Sequence, residues 1–132
     1  MKKYNGILTS LIVMALIASS ALAAFDIPSY VYRIDQLQQA IEKAKAENKQ
    51  IVFLYSNANT DCPLASRASI KIMERFKSSA VIVYAGREDW EKIPRIVKHA
   101  INSPEAGKYI PKTIVVDFDI TSIVAIIPYE RP

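Results

Sequence analysis

Two unbroken apolar runs constrain this chain more than any other feature: Ile51-Val52-Phe53-Leu54-Tyr55, and Val81-Ile82-Val83-Tyr84 at the centre of Ala80–Ala85. Runs without alternation belong to strands covered on both faces. The segments around them have helical periodicity. Leu37, Ala40, Ile41 and Ala44 share one face while Gln38, Gln39, Glu42, Lys43 and Lys45 take the other. Asp35 is expected to cap this helix and Asn48-Lys49 to end it. Cys62-Pro63 opens a second helix, with Leu64, Ala68, Ile72 and Phe76 expected inward. Pro63 suits a first-turn position, where its missing N–H costs nothing. A third helix is expected from Lys92 to Ile101, with Pro94 near its start and Ile93, Val97, Ala100 and Ile101 inward. Ser103-Pro104-Glu105 then begins a short turn.

Val31-Tyr32-Arg33-Ile34 alternates like a short edge strand. Ile114-Val115-Val116 and Ile123-Val124-Ala125-Ile126-Ile127 flank Asp117-Phe118-Asp119 as an antiparallel hairpin. The expected order is β-α-β-α-β-α-β-β in one domain. Strands joined by helical crossovers should run parallel and the terminal pair antiparallel, giving an α/β fold with a central mixed sheet flanked by helices.

Composition closes off several chemistries. Among 132 residues there is one Cys and one His. An internal disulfide, a cysteine-rich zinc site and a two-cysteine redox couple are excluded, so neither metal nor cofactor is expected. Lys43, Lys45, Lys71, Arg75, Lys92 and Arg95 alternate with Glu42, Glu47, Glu74, Glu88 and Glu91, which makes solvated helix faces and argues against nucleic acid as a partner. The formal charge of +4 also owes two of its charges to Lys2 and Lys3.

Those lysines precede an uncharged run from Gly6 to Ser20, and Ala21-Leu22-Ala23 has the small-x-small pattern of a signal peptidase site. Residues 1–23 are expected to be a bacterial-type secretory signal cleaved after Ala23, leaving residues 24–132 periplasmic or secreted with no membrane contact. An uncleaved anchor is the alternative, since about 18 mostly apolar residues approach a membrane span. Thr9, Ser10, Ser19 and Ser20 dilute the run, and no Cys follows the site to take a lipid.

On four features the chain resembles exported thioredoxin-like domains. They are the run Ala44-Lys45-Ala46-Glu47-Asn48-Lys49-Gln50-Ile51-Val52-Phe53-Leu54-Tyr55-Ser56, Cys62-Pro63 at a helix start, Tyr109-Ile110-Pro111-Lys112-Thr113 before the final hairpin, and the strand order. The resemblance implies that Cys62 is the candidate nucleophile. It also implies that Ile110-Pro111 is cis and lies against that Cys, where the adjacent backbone pairs with an extended peptide. The motif departs from the family's Cys-x-x-Cys, because Cys62-Pro63-Leu64-Ala65 has Ala65 where the resolving thiol belongs. The terminal helix of the family is also missing after the hairpin. One sheet face is then left partly open or is covered by the amino-terminal lead.

A thiol at a helix amino terminus meets the positive end of the helix dipole, which favours thiolate, while the neighbouring Asp61 opposes it. Arg67 and Arg87 are candidate helpers. Two functions follow. Cys62 forms mixed disulfides with a protein, peptide or small thiol as a monothiol, or the fold is a non-catalytic binding module using the groove beside Pro111. Whether the chain is an enzyme is left open, and a dimer linked through Cys62 is a third possibility. His99 reads as a solvated or capping residue, Trp90 as helix packing, and Tyr30, Tyr32, Tyr55, Tyr84 and Tyr109 as core and rim. Asp117 and Asp119 read as turn residues.

Overall fold

A computed structural model describes residues 23–130. The expected export signal on residues 1–22 lies outside them. Among the described residues no helix is long and apolar enough to cross a membrane.

The strands are β1 (Val31–Arg33), β2 (Gln50–Tyr55), β3 (Ala80–Ala85), β4 (Lys112–Val116) and β5 (Ile123–Ile127), and the helices are α1 (Leu37–Glu47), α2 (Pro63–Phe76) and α3 (Arg95–Ile101). They form one mixed sheet in the order β1-β3-β2-β4-β5. β1, β3 and β2 are parallel, while β4 is antiparallel to both β2 and β5. The expected α/β class, the mixed sheet and the flanking helices are all present.

Side-chain alternation along the strands builds a core on each face. Ile51, Phe53, Val81, Val83, Ile114 and Val116 meet Ala40 and Ala44 of α1 and Val97 and Ile101 of α3. Val52, Leu54, Ile82, Tyr84 and Val115 meet Met73 of α2 and Phe25 of the amino-terminal lead. This double cover explains the unbroken apolar runs. Each fully buried side chain such as Phe53 or Ile51 contributes roughly 1.5–3 kcal/mol. The lead therefore does cover part of a sheet face. Cover thins at β5, where a bulge opposite Val115/Val116 leaves Val124 50% exposed.

Four local expectations need correction. Asp35 does not cap α1: a 3₁₀ turn over Ile34–Gln36 intervenes, so β1 ends at Arg33. The Arg33 N–H donates instead to Gln36 Oε1 at 3.0 Å, and Asp35 accepts from Lys92 Nζ at 2.7 Å on the surface. In α2 the inward residues are Ala65, Ser66, Ser69 and Met73, with Leu64 exposed and Ala68, Ile72 and Phe76 at the margin. The third helix begins at Arg95, because Ile93 precedes a proline and is extended at φ −73°, ψ 134°. Residues 87–92 form a separate 3₁₀ turn.

Candidate functional site

The loop from Ser56 to Asp61 carries the chain from the end of β2 to Cys62, and hydrogen bonds tie it down on several sides. Ser69 Oγ donates to the Ala65 carbonyl at 2.8 Å, so its contact with Ser56 Oγ at 2.7 Å must use the Ser56 proton. Both serines are buried, which turns that side of α2 toward the sheet and rotates Leu64 outward. The Ala58 N–H donates to Tyr84 Oη at 2.9 Å, and the Phe25 N–H donates to the Ala58 carbonyl at 3.0 Å. Phe25 and Tyr84 rings meet edge to face at 6.4 Å. Burial pushes the Tyr84 phenol up, outweighing the Ala58 hydrogen bond, which favours its ionised form.

Cys62 is the N-cap residue of α2 and Pro63 its first residue. The Cys62 N–H donates to Thr60 Oγ1 at 3.1 Å, and its carbonyl accepts from Ser66 N–H at 3.1 Å. Its thiol is half-buried, makes no capping hydrogen bond and forms no disulfide. The side chain faces a cavity of about 160 Å³, which brings Leu64 and Ala65 of α2 together with Tyr109 and Ile110 from the segment before β4, and with Thr60 and Tyr129. Four of the expected site residues, Cys62, Leu64, Ala65 and Ile110, thus share one cavity. Pro111 is fully buried, and the Ile110–Pro111 peptide bond is cis as expected. Among the described residues, neither the N–H nor the carbonyl of Ile110 has a hydrogen-bond partner.

The expected helpers are elsewhere. Arg67 is exposed on α2 and does not line this cavity. Arg87 lies beyond Ile110, in two adjoining cavities of about 540 and 590 Å³ that also take in Tyr55. His99 is exposed in the last turn of α3. Trp90 packs as expected, edge to face on Tyr55 at 5.8 Å with Lys98 Nζ over its ring at 5.8 Å, yet it also lines the Arg87 cavity. Asp117 is a turn residue that accepts from the backbone and hydroxyls of both Thr121 and Ser122. These bonds, led by the Thr121 hydroxyl, hold its carboxyl down at about 2. Thr60, Tyr129 and the supporting Tyr84 carry no sequence signal that marks them for the site. Among the described residues no group of three or more His, Cys, Asp or Glu side chains is arranged to hold a metal ion.

What the arrangement offers chemically is one accessible thiol, apolar walls and an unpaired peptide group beside them. Among the described residues no cation, carboxylate or imidazole lines the Cys62 cavity. No family model matches this chain, and no curated protein does.

Proposed function

We propose that the chain is an exported thioredoxin-like protein, cleaved after Ala23, that holds an extended peptide along Ile110 and links it to Cys62 as a mixed disulfide. The observation that carries this reading is the shared cavity: the Cys62 thiol and the segment with unpaired Ile110 N–H and carbonyl line the same small apolar space. An unpaired peptide group at a site edge is a ready partner for an extended strand.

The chemistry is thiol–disulfide exchange. The Cys62 thiolate attacks one sulfur of a partner disulfide, a new S–S bond forms as the partner's bond breaks, and the second partner sulfur leaves as a thiolate that takes up a proton. The number of disulfides is unchanged. Ala65 supplies no second thiol, so release requires an external thiol and the protein alone does not turn over. Insulin reduction by the pure protein should be negligible.

A second reading, a non-covalent binding module, is favoured by the lining of that cavity, which among the described residues holds no imidazole, carboxylate or cation beside the thiol. Intact mass of the protein from its native compartment separates the two. The mixed-disulfide reading expects residues 24–132 plus a reducible adduct on Cys62, and the adduct mass distinguishes a small thiol, a peptide and a second copy of the chain. Unmodified Cys62 together with partner capture that survives Cys62→Ser overturns it in favour of the binding module.

A further inference from the structure

The cavity on the far side of Ile110 differs in character from the one at Cys62. Its volume is about 540 Å³, and its walls include Arg87, Lys108 and Lys112 together with Tyr55, Trp90 and Asn102. The adjoining space of about 590 Å³ shares Tyr55, Arg87 and Ile110 with it and adds one carboxylate, Glu88. Glu88 folds back over Gly86, into the space a side chain at position 86 would occupy. Neither the Arg87 nor the Lys108 side chain has an ion-pair or hydrogen-bond partner among the described residues. Lys112 is held in place, its Nζ donating to the Ile101 carbonyl at 3.0 Å. The edge-to-face pair of Tyr55 and Trp90 supplies an aromatic wall. Three cations facing one carboxylate around an aromatic wall are complementary to an anionic group on an apolar stem.

We propose that this cavity receives the carboxylate of an Asp or Glu side chain from the peptide that lies along Ile110, so that the site selects acidic partners. The inference rests on the peptide reading above. A peptide is favoured over a free anion because the cavities on both sides meet at Ile110, whose backbone N–H and carbonyl are unpaired among the described residues.

Trp90 is the only Trp in the chain and lines the cavity, so its fluorescence reports occupancy directly. Three short blocked peptides with the same Ala/Ser/Leu frame, carrying paired Glu, paired Gln or paired Lys, are titrated with anisotropy of labelled copies as a second readout. Inorganic phosphate and acetate serve as free anions. The Glu peptide should bind about tenfold tighter than the Gln peptide at about 0.01 M salt, the combined effect of exposed pairs that each give up to about fivefold. That preference should vanish at about 1 M salt, where the screening length is only about 3 Å, and in the Arg87→Gln/Lys108→Gln variant. Equal binding of Glu and Gln peptides overturns the acidic preference and leaves the peptide groove standing. Failure of all three peptides overturns the groove itself, and the preference with it. Saturable phosphate or acetate binding that the Glu peptide does not displace overturns the proposal in favour of a small-anion site.

Discussion

Tyr84→Phe deletes one oxygen from a residue only 3% exposed and tests whether the loop before Cys62 is held as described. The phenyl ring, and with it the edge-to-face contact on Phe25, is retained. What is lost is the acceptor for the Ala58 N–H, whose carbonyl is already engaged by Phe25, together with a long donation from the Tyr84 hydroxyl to the Ser56 carbonyl at 3.5 Å. Leaving a partly buried N–H unpaired costs about 1–3 kcal/mol, and the part-buried setting of this bond places the expectation near 1–2 kcal/mol. In a domain of about 100 residues that lowers Tm by roughly 5–10 °C.

Urea unfolding followed by Trp90 fluorescence should show a lower midpoint with an unchanged slope. Alkaline titration adds an independent sign. Burial raises the folded-state value of the Tyr84 phenol, so its contribution is complete below about pH 10, where unfolded tyrosine ionises, and is lost as pH rises through the folded value. The alkaline loss of stability should therefore be shallower in Tyr84→Phe. A change below about 0.5 kcal/mol, with an unaltered alkaline limb, would refute the anchoring role of Tyr84.

Three further expectations concern the scaffold. Thr113 is completely buried on β4 and its hydroxyl has no hydrogen-bond partner among the described residues; Thr113→Val should raise stability by about 1 kcal/mol in urea, and a loss would show that the hydroxyl is paired. Asn48 is exposed and ends α1 at φ 52°, ψ 50°; Asn48→Val should cost about 1–2 kcal/mol and Asn48→Gly should not, whereas equal melting of the two variants would contradict the left-handed cap. Asp117, held at about 2 by Thr121 and Ser122, contributes stability that is full above its unfolded value near 3.9 and is lost as pH falls toward 2. The Thr121 amide shift should titrate near pH 2 in NMR, and a midpoint near 4 would break the argument.

The strands were legible because burial on both faces writes itself as unbroken apolar runs, as in Ile51–Tyr55. Helix faces were harder where polar residues pack inward. The stripe from Leu64 to Phe76 has the right spacing, but Ser56 and Ser69, thirteen residues apart, pair in the interior and set the rotation of α2. Periodicity counts apolar residues and is blind to a buried serine pair. Cys62, Leu64, Ala65 and Ile110 were marked by the resemblance, and they do share a cavity. The cationic cavity is invisible in the sequence because Arg87, Lys108 and Lys112 come from a 3₁₀ turn, a loop and a strand end, brought together only by the fold. Arg87 reads in the sequence as a helper of Cys62, yet it lines the cavity with Trp90 and not the one at Cys62.

In the proposed function, Cys62 and Ile110 act as one peptide site. The direct measurement is the rate of mixed-disulfide formation between Cys62 and a short peptide bearing an activated disulfide, as a function of peptide concentration, with cystamine as the small-molecule reference. A site that binds before reacting predicts a rate that saturates for the peptide and stays linear for cystamine, with no adduct in Cys62→Ser. Linear kinetics for both, at the speed of an unstructured cysteine peptide, would contradict the account.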